Sequence, residues 1–481
     1  INASLGGVTY SQVSPWQMNG GAQVLLGDYQ HNSDIQYMGQ LAPVQLPAEI
    51  DYYNIRRGFW ISSDMMYRFS LEALARKTNL QSNPLPPDLA SVPDMQELPM
   101  TTKIIERKNQ FEIKQTALES AITELSAIFK EYKDIYSSNV VVTGVDMNVY
   151  RLTTENVKLK IPSGMTTLLV RAATRANDGS VLQDMLMLME EKTENLLVME
   201  ELKKKVRAFA EGLLKLKECP TVEEYYSGPV LFEDNAVADI FSRNLLQPGN
   251  LLALRTLMPS RGMLDDQLGR KIIDSRLTIK NYTNMQEYNG IPLAGHYEID
   301  CDGVVPEKEL TLVDKGIFKR QLNGRIPTLK APASTGSARF MLLPNNPVAV
   351  TSAGTIHVKV EKGMQHEKLK KALLKAARAA DLEYAYIVRN VGSAPLIYKV
   401  DVQDGKETQV RTTNLKLPDI TKLAELIAVS SKENVKNYLP NGVFSSLIYP
   451  AGIIVKDVEI NRTTPKIEKA TVLKNPLQRE R

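Results

Sequence analysis

Histidine and cysteine, the residue types that most often hold a transition metal, are scarce in this chain. Among 481 residues there are two cysteines and four histidines, His31, His296, His357 and His366. Cys219 and Cys301 stand alone, without the C-x-x-C spacing of a zinc ribbon or a dithiol redox site. Two buried free thiols are therefore expected, with a structural disulfide as the alternative.

His366 is followed by Glu367, which is how a helical zinc-peptidase motif begins. In such a motif two histidines bind zinc through neutral imidazoles, and the glutamate takes a proton from the metal-bound water. Here the residues four and five positions after His366 are Lys370 and Lys371, so no second ligand follows. The pair is interpreted as the start of a surface helix.

Ser334 and Thr335 lie in a glycine-containing loop, and their hydroxyls are the candidates for a catalytic nucleophile. A hydroxyl nucleophile needs a base within hydrogen-bond reach. Neither a GxSxG elbow nor an SxxK pattern is present at this loop. His296 is the nearest base along the chain. An active hydrolase that uses this loop is kept as an alternative hypothesis, and Ser334→Ala is predicted to leave any activity intact.

The stretch 228–247, GPVLFEDNAVADIFSRNLLQ, has the pattern of a short strand that turns into a helix. Residues 229–232 form an apolar run, and Asp234 and Asn235 are of the types that cap helices with their side chains. One helix face is predicted to be buried because apolar residues recur at helical spacing. They are Val237, Ile240, Phe241 and Leu245.

This stretch resembles the start of the C-terminal domain in the TldD/PmbA family of metallopeptidases, which also carries the older description of a modulator of DNA gyrase. In that family the strand and helix lead into an HExxxH zinc motif. With the alignment made on Phe241, the motif's three functional residues fall on Ser242, Arg243 and Gln247. Serine and glutamine are poor zinc ligands, and an arginine would put a permanent cation at the metal position.

Two further motifs carry the resemblance. Residues 299–325 resemble the family's acidic-Gly-Val-Pro turn, which is followed by a strand and a "DKG" hairpin in which Gly316 supplies the positive φ. Residues 334–340, STGSARF, resemble the family's STGN-R segment, with Ser337 in place of the asparagine. Zinc-bearing members also use a cysteine near the C-terminus as third ligand, and residues 438–461 contain none.

The resemblance implies a member of the PmbA (TldE) type, which lacks the metal site. Such a chain would be a non-catalytic subunit without a cofactor, zinc being expected only in a partner. It would form a homodimer, or a heterodimer with a TldD-like zinc subunit, and help to enclose an unfolded peptide. An active peptidase with a different site, and a regulatory protein related to DNA gyrase modulation, are the alternatives.

Two groups of residues are candidates for contact with that peptide. Ser242, Arg243 and Gln247 would line a vestigial cleft, in which Arg243 pairs with a substrate carboxylate or else is a surface or salt-bridged structural residue. Strand addition is expected at exposed strand edges near residues 228–233 and 334–340. In the second of these, the predicted peptide-binding loop consists of Ser334, Thr335 and Arg339.

The composition is that of a large globular protein. Hydrophobic residues make up 43% of the chain, which is long enough for two or more domains. No apolar run approaches the roughly 20 residues of a membrane span. The net charge of +4, from 59 basic and 55 acidic residues, is too balanced to indicate a nucleic-acid partner.

The first residue, Ile1, is not an initiator methionine, and no leader pattern precedes it. Either a leader was removed, which would fit an exported protein, or the sequence begins inside a domain. The family resemblance implies a cytoplasmic protein.

Changes in hydrophobic period predict the elements of the N-terminal half. Short strands, 22–27 among them, are expected in residues 1–62, and the prolines of residues 82–100 predict an exposed connector. The remaining predictions are helices at 64–77, 102–136 and 184–217, and strands at 139–150, 151–161 and 166–175. This order indicates helices that cover one face of an antiparallel sheet.

The C-terminal half is predicted to be rich in strands. The predicted strands cover residues 271–282, 309–322, 355–361, 384–388, 395–402 and 452–460, and the helices 367–380 and 419–429. The fold class is therefore α+β, with two domains, residues 1–220 and a strand-rich domain at 221–481. The position of the boundary, near residues 219–227, follows from the family resemblance.

Overall fold

Two long antiparallel strands form the centre of the N-terminal half. The structure is a computed structural model, and it describes residues 1–14, 17–34, 41–81, 91–106, 115–190, 196, 198–255, 264–341, 348–392, 395–411 and 415–461. The strands of this half are β1 (Asn2–Ser4), β2 (Gly7–Tyr10), β3 (Asn19–Ala22), β4 (Ala42–Gln45), β5 (Thr102–Ile104), β6 (Ile135–Leu152), β7 (Lys158–Arg175) and β8 (Val181–Glu190).

One mixed sheet has the order β2-β1-β6-β7-β5, and β8 pairs with the second half of β7. The two central strands alternate, with Val140, Val142, Leu168 and Val170 on the inner face. Helices α2 (Gln115–Ala127) and α3 (Met199–Glu218) cover that face. The predicted arrangement of helices on one face of a sheet is therefore confirmed.

A separate helix, α1 (Tyr52–Gln81), packs on the β3–β4 hairpin. It is much longer than the predicted 64–77. Its inner face is tied to the segment before it, because Ser62 Oγ bonds the backbone of Ala22 and Ala42 while Ser70 Oγ donates to Val24 O at 2.6 Å.

The C-terminal half begins with β9 (Tyr226–Glu233), helix α4 (Asn235–Leu245) and β10 (Leu277–Tyr282). Further strands are β11 (Glu287–Tyr288), β12 (Ile291–Pro292), β13 (Glu309–Asp314), β14 (Ile317–Phe318), β15 (Ala338–Phe340), β16 (Ala349–Thr351) and β17 (Thr355–Val360). Helix α5 (Leu369–Ala379) precedes the last strands, which are β18 (Tyr384–Asn390), β19 (Leu396–Asp401), β20 (Glu407–Val410), β21 (Leu426–Val429), β22 (Glu433–Tyr438), β23 (Ser445–Pro450) and β24 (Gly452–Ile460).

Two six-stranded sheets enclose the main core of this half. Their orders are β14-β13-β10-β17-β23-β22 and β20-β19-β18-β9-β24-β21, and α4 contributes its apolar face to the core between them. Helix α5 covers the other face of the second sheet through Leu369, Leu373 and Ala377. The α+β class and the strand-rich C-terminal half are confirmed, while the domain boundary stays a prediction.

Three predicted helices were wrong in part. Residues 102–104 form strand β5, and in the described part of 102–136 the α-helix runs only over Gln115–Ala127, followed by a 3-10 turn. Residues 181–190 form β8 because they pair with the long strand β7 along ten residues. Residues 419–429 divide into a 3-10 turn, capped by Asp419, and strand β21.

Other boundaries differ as well. Residues 158–161 and 166–175 belong to the single strand β7, whereas residues 151–152 are the end of β6 and residues 153–157 form the turn between the two strands. Residues 23–27 are not a strand, since β3 ends at Ala22. The predicted connector falls partly outside the described residues, and its described part is not wholly exposed because Asp94 is buried.

None of the helices within the described ranges is long and apolar enough to cross a membrane.

Candidate functional site

Helix α4 begins directly after the central strand β9. The chain turns between them at Asp234, whose φ of 50° is unusual for a residue with a side chain. The predicted capping by Asp234 is wrong, since its side chain makes no cap bond and instead accepts from Asn434 Nδ2 at 3.2 Å. The predicted buried face is confirmed, because Val237, Ile240, Phe241 and Leu245 are all fully buried.

The three positions aligned with the zinc motif lie at the end of α4. Ser242 is half-buried and Arg243 is exposed. The helix ends at Leu245, where Leu246 N–H closes the last turn on Ser242 O at 3.0 Å. Gln247 therefore lies beyond the helix, exposed, and not one turn further along the same face as the alignment assumed.

A polar strip runs along α4 beside β22. Lys436 of that strand forms an ion pair of 2.8 Å with Asp239, the carboxylate one turn before Arg243. On the other side of the helix end, Asn244 donates to Pro418 O at 2.9 Å. These contacts fix the helix against its neighbours and leave the guanidinium of Arg243 at the surface.

The described residues contain no group of three or more histidines, cysteines, aspartates and glutamates placed to hold a metal ion. Both cysteines are free and buried, as expected, and burial raises the pKa of each thiol. A raised pKa favours the neutral thiol, which is a poor ligand compared with the thiolate.

The histidines are dispersed over the fold. His357 Nε2 lies 2.9 Å from Glu433, His366 lies 3.5 Å from Glu233, and His31 lies 3.7 Å from Asp94. Each of these rings faces a different carboxylate. His296 Nδ1 lies 3.4 Å from the carbonyl of Leu293 in its own loop.

The loop that was predicted to bind peptide is held by its own hydroxyls. Thr335 Oγ1 donates to Asn323 O at 3.0 Å, and Ser334 Oγ accepts from Gly336 N at 3.1 Å. Gly336 has φ 69° and its Cα lies against Pro306, so that a Cβ would come within 2.9 Å of the proline backbone. These hydroxyls stabilise the turn.

Arg339 lies on the strand that leaves this loop. Its guanidinium stacks over the ring of Tyr297 with 4.0 Å to the centroid, and Tyr297 donates its hydroxyl to Gly336 O at 2.9 Å. The loop and the arginine are thus joined through one aromatic ring. Ser334, Thr335 and Arg339 do lie together, but the structure records no contact between this group and Ser242, Arg243 or Gln247.

A buried acidic pair supports the same loop. Asp300 accepts hydrogen bonds from the backbone N–H groups of Asp302, Val304 and Ala338, at 2.8–3.1 Å. Burial, with a contribution from the charge of Asp302, raises the pKa of Asp300 to about 7. Asp302 in turn lies 3.2 Å from Arg151 of the N-terminal half.

A second ion pair joins the two halves of the chain beside it. Arg325 donates to Glu155 in a bidentate geometry at 2.7 and 2.8 Å, and Tyr29 donates to the same carboxylate at 2.7 Å. Arg325 also donates to Gln96 O at 3.0 Å, and the amide oxygen of Gln96 accepts from Ser334 N at 2.7 Å. The Arg325–Glu155 ion pair therefore positions Gln96, and Gln96 in turn holds the loop at Ser334.

Sequence reasoning missed these charged residues. The Asp-Cys-Asp spacing in residues 300–302 was visible as an alternation of acidic side chains at a turn. Asp302 and its partner Arg151 are 151 residues apart along the chain, and Arg325 and Glu155 are 170 residues apart. No local sequence pattern could therefore assign these pairs.

The two predicted strand edges have different outcomes. The prediction of an exposed edge near residues 228–233 is wrong, because β9 is a central strand with β18 on one side and β24 on the other. Strand β15 belongs to a two-stranded ribbon with β16, both half-buried for the most part. This ribbon is the one of the two predicted edges that could accept a further strand.

An open cavity of about 530 Å³ lies on the outer face of the first C-terminal sheet. Its polar lining comes from β10, β13 and β17 and includes Lys280, Lys319, Arg320 and Lys359. Neither predicted group of site residues lines it.

Known structures share this architecture. TldE from Thermococcus kodakarensis superposes with a TM-score of 0.56 at 13% identity, over 96% of this chain and 93% of that one. The chain has the fold of TldE.

Two proteins described as a "putative modulator" of DNA gyrase are similar too. The one from Thermotoga maritima has a TM-score of 0.50 at 13% identity, over 76% of this chain and 79% of its own. The one from Bacteroides thetaiotaomicron has a TM-score of 0.50 at 14% identity, over 89% and 86%. The resemblance to the TldD/PmbA family is thereby confirmed as a likeness of fold. No protein-family model and no curated protein matches the sequence.

Proposed function

We propose that this chain is a metal-free, non-catalytic subunit that partners a zinc-bearing peptidase subunit in the processing of unfolded peptides. One observation carries the proposal, namely the set of side chains at the end of α4. A hydroxyl, an exposed guanidinium and an amide beyond the helix stand at the positions of the two histidines and the glutamate. These donors do not fit zinc.

The likeness of fold supports the type of protein. TldE from Thermococcus kodakarensis matches this chain almost from end to end, with 96% and 93% coverage. By its name that protein is a TldE, the type to which the motifs of residues 228–247 and 334–340 also point. The pairing with a TldD-like subunit is carried over to this chain as part of the proposal.

Peptide contact is proposed at the β15–β16 ribbon and the loop that precedes it. A ribbon of two strands can accept an extended chain through backbone hydrogen bonds, which makes binding tolerant of sequence. Arg339 would border that chain, together with Ser334 and Thr335, which hydrogen bonds hold in place. Arg243, at the surface and next to an ion pair that already satisfies Asp239, is the proposed partner of a peptide carboxylate.

The alternative of a serine or threonine hydrolase is less well supported. The hydroxyl of Thr335 is donated to the backbone at Asn323, and the bond recorded for His296 leads to Leu293 O. Ser334→Ala should leave any cleavage unchanged. Loss of cleavage in this variant would instead favour the hydrolase.

Elemental analysis of the purified chain, with a peptidase assay on unfolded peptides, tests the proposal. We expect less than about a tenth of an equivalent of zinc and no chelator-sensitive cleavage by the chain alone. Adding a TldD-like zinc subunit should produce cleavage, which that subunit alone should perform poorly. Stoichiometric zinc in this chain would overturn the proposal and direct attention to His296, His357 or His366.

A further inference from the structure

Strand β8 has one edge that no described strand covers. It pairs with β7 along its whole length, and among the described residues β7 is its only partner strand. The hairpin bond from Ala176 N–H to Ser180 O, at 2.9 Å, fixes which residues of β8 bond to β7. Backbone directions alternate along an antiparallel strand, so the odd-numbered residues from 183 to 189 direct their N–H and C=O groups outward. In agreement, Met185 N–H bonds the carboxylate of Asp184 at 2.8 Å and not an acceptor on β7.

The residues with outward backbone groups include three methionines. Met185, Met187 and Met189 lie on the face of the sheet opposite the helices, because side chains alternate along a strand. Met185 and Met187 are 48% and 49% exposed. The leucines between the methionines pack against the core under the helices, and they are Leu182, Leu186 and Leu188.

Methionines continue across the same face of the sheet. Met189 pairs with Thr167, so Met165 is its diagonal neighbour on β7. Met165 pairs with Val145, which makes Met147 its diagonal neighbour on β6. Diagonal neighbours on one face lie within reach of long side chains. We call this surface the methionine face, and it consists of residues 147, 165, 185, 187 and 189.

The free edge and the methionine face together specify the shape and chemistry of a ligand. A row of outward N–H and C=O groups is matched by an extended polypeptide chain, and a lipid surface has no such row. The methionine side chain is flexible and polarizable, so it adapts to apolar groups of different shapes. The surface therefore fits an extended chain with apolar side chains at alternate positions, without selecting one apolar residue type.

We propose that β8 binds an apolar segment of an unfolded polypeptide as an additional antiparallel strand. The inference rests on the proposed function for the kind of ligand. It places that ligand on a different sheet from the β15–β16 ribbon. Antiparallel pairing is the more stable of the two directions per residue.

The pairing assigns a role to each residue of the edge. A peptide residue opposite Met187 exchanges two hydrogen bonds with it and lays its own side chain on the methionine face. The residues opposite Met185 and Met189 do the same. The carboxylate of Asp184, which bonds Met185 N–H in the empty edge, is displaced when the peptide strand arrives.

Fluorescence anisotropy of the chain alone tests the proposal. The probe is a fluorescein-labelled peptide of alternating leucine and serine residues, as long as β8. Met187→Pro should weaken binding at least about tenfold, because proline removes an outward N–H while an edge strand tolerates it. Met187→Leu is the matched control, which keeps the N–H and the apolar volume and should bind within about twofold of wild type.

Two checks separate the edge from the stability of the fold. Circular dichroism and urea denaturation of each variant verify that the sheet is intact. Met187→Glu leaves the backbone unchanged and places a charge on the methionine face, so it should also weaken binding at least about tenfold.

Modified peptides test the backbone pairing. Methylation of the leucine nitrogens should abolish binding, because in the antiparallel register these nitrogens face β8. Methylation of the serine nitrogens should be tolerated, since they point away from it. A photoreactive leucine in the peptide should label the methionine face, as mapped by mass spectrometry.

Four results would overturn the proposal. They are no binding by the wild-type chain, unchanged binding by Met187→Pro, equal binding of the two methylated peptides, and labelling only outside the methionine face. Labelling at the β15–β16 ribbon that Arg339→Ala abolishes would assign the peptide to that ribbon alone. Zinc content and cleavage decide the metal-free role separately, so a failure of binding at β8 leaves that role standing.

Discussion

Replacing Glu155 by glutamine tests whether the ion pair between the two halves stabilises the protein. Arg325 is buried and gives two hydrogen bonds to Glu155, which also accepts from Tyr29. Glutamine keeps the shape of the side chain and removes the charge. The guanidinium of Arg325 then remains in the interior, facing one amide oxygen that can accept and one NH2 group that cannot, with the carbonyl of Gln96 as a further acceptor.

The size of the effect follows from burial. Removing one partner of a fully buried ion pair costs about 3–5 kcal/mol, because the other charge stays desolvated. The side chains of Arg325 and Glu155 are 10% and 22% exposed, so water can reach the pair in part. We expect the free energy of unfolding to fall by about 2–3 kcal/mol at neutral pH.

The loss should also depend on pH. The bonds from Arg325 hold the pKa of Glu155 below its usual range. A carboxyl group whose pKa is lowered by folding contributes stability above its unfolded pKa, and this contribution disappears as pH falls through the folded pKa. The gap between wild type and Glu155→Gln should therefore be full at pH 7 and shrink progressively below about pH 4.3.

Urea denaturation at pH 7 and at pH 3.5 measures both effects. Glu131→Gln is the control, since Glu131 pairs with Arg207 through both guanidinium nitrogens, with both side chains about half exposed. A surface pair of this kind should contribute far less than the buried pair, because water screens its two charges. The reasoning is refuted if Glu155→Gln costs no more than the control, or if its cost is the same at both pH values.

Three further outcomes can be checked. Asp94→Asn should lower the free energy of unfolding by about 3–5 kcal/mol, measured in urea, because Lys77 and Arg255 both lose their buried anion. Asp300→Asn should flatten the pH dependence of stability between about pH 4 and pH 7. The native state holds a proton on Asp300 in that window which the unfolded chain releases, so wild-type stability falls as pH rises; an unchanged slope contradicts this. Ser334→Ala should leave peptidase activity of the assembled subunits unchanged.

Local patterns predicted an element well where its apolar residues fitted only the strand period of two or only the helical period of 3.6 residues. The strands at Thr355–Val360 and Gly452–Ile460 and the helix at Leu369–Ala379 fall within or close to the predicted ranges. In each case either strict alternation or a helical repeat was present, flanked by turn residues. Such segments need little information from the rest of the fold.

Residues 181–190 show why other segments could not be predicted in this way. Their apolar side chains at Leu182, Leu186 and Leu188 satisfy a helical spacing of four as well as an alternation. The ten-residue pairing with β7 decides between the two, because that strand offers a free edge alongside. Edge pairing is a long-range contact, and nothing in the local sequence records it.

The candidate site shows the same limit more strongly. The backbone of the loop at Ser334 donates a hydrogen bond to Gln96. Gln96 in turn accepts from Arg325, and Arg325 pairs with Glu155. These residues come from three distant segments, around residues 96, 155 and 325–334. The motif at 334–340 indicated where a special turn lies, but the charged residues that fix it become visible only in the folded chain.

The end of α4 shows how the proposed metal-free role is compatible with this fold. The side chains that pack between the two sheets, Phe241 among them, point away from the positions aligned with zinc ligands. Arg243 and Gln247 are exposed and Ser242 is half-buried, so exchanging residues there removes little buried apolar surface. Stability therefore places almost no constraint on these positions. Placing two histidines and a glutamate at these positions would not by itself create a zinc site, because the helix ends at Leu245, before the third position.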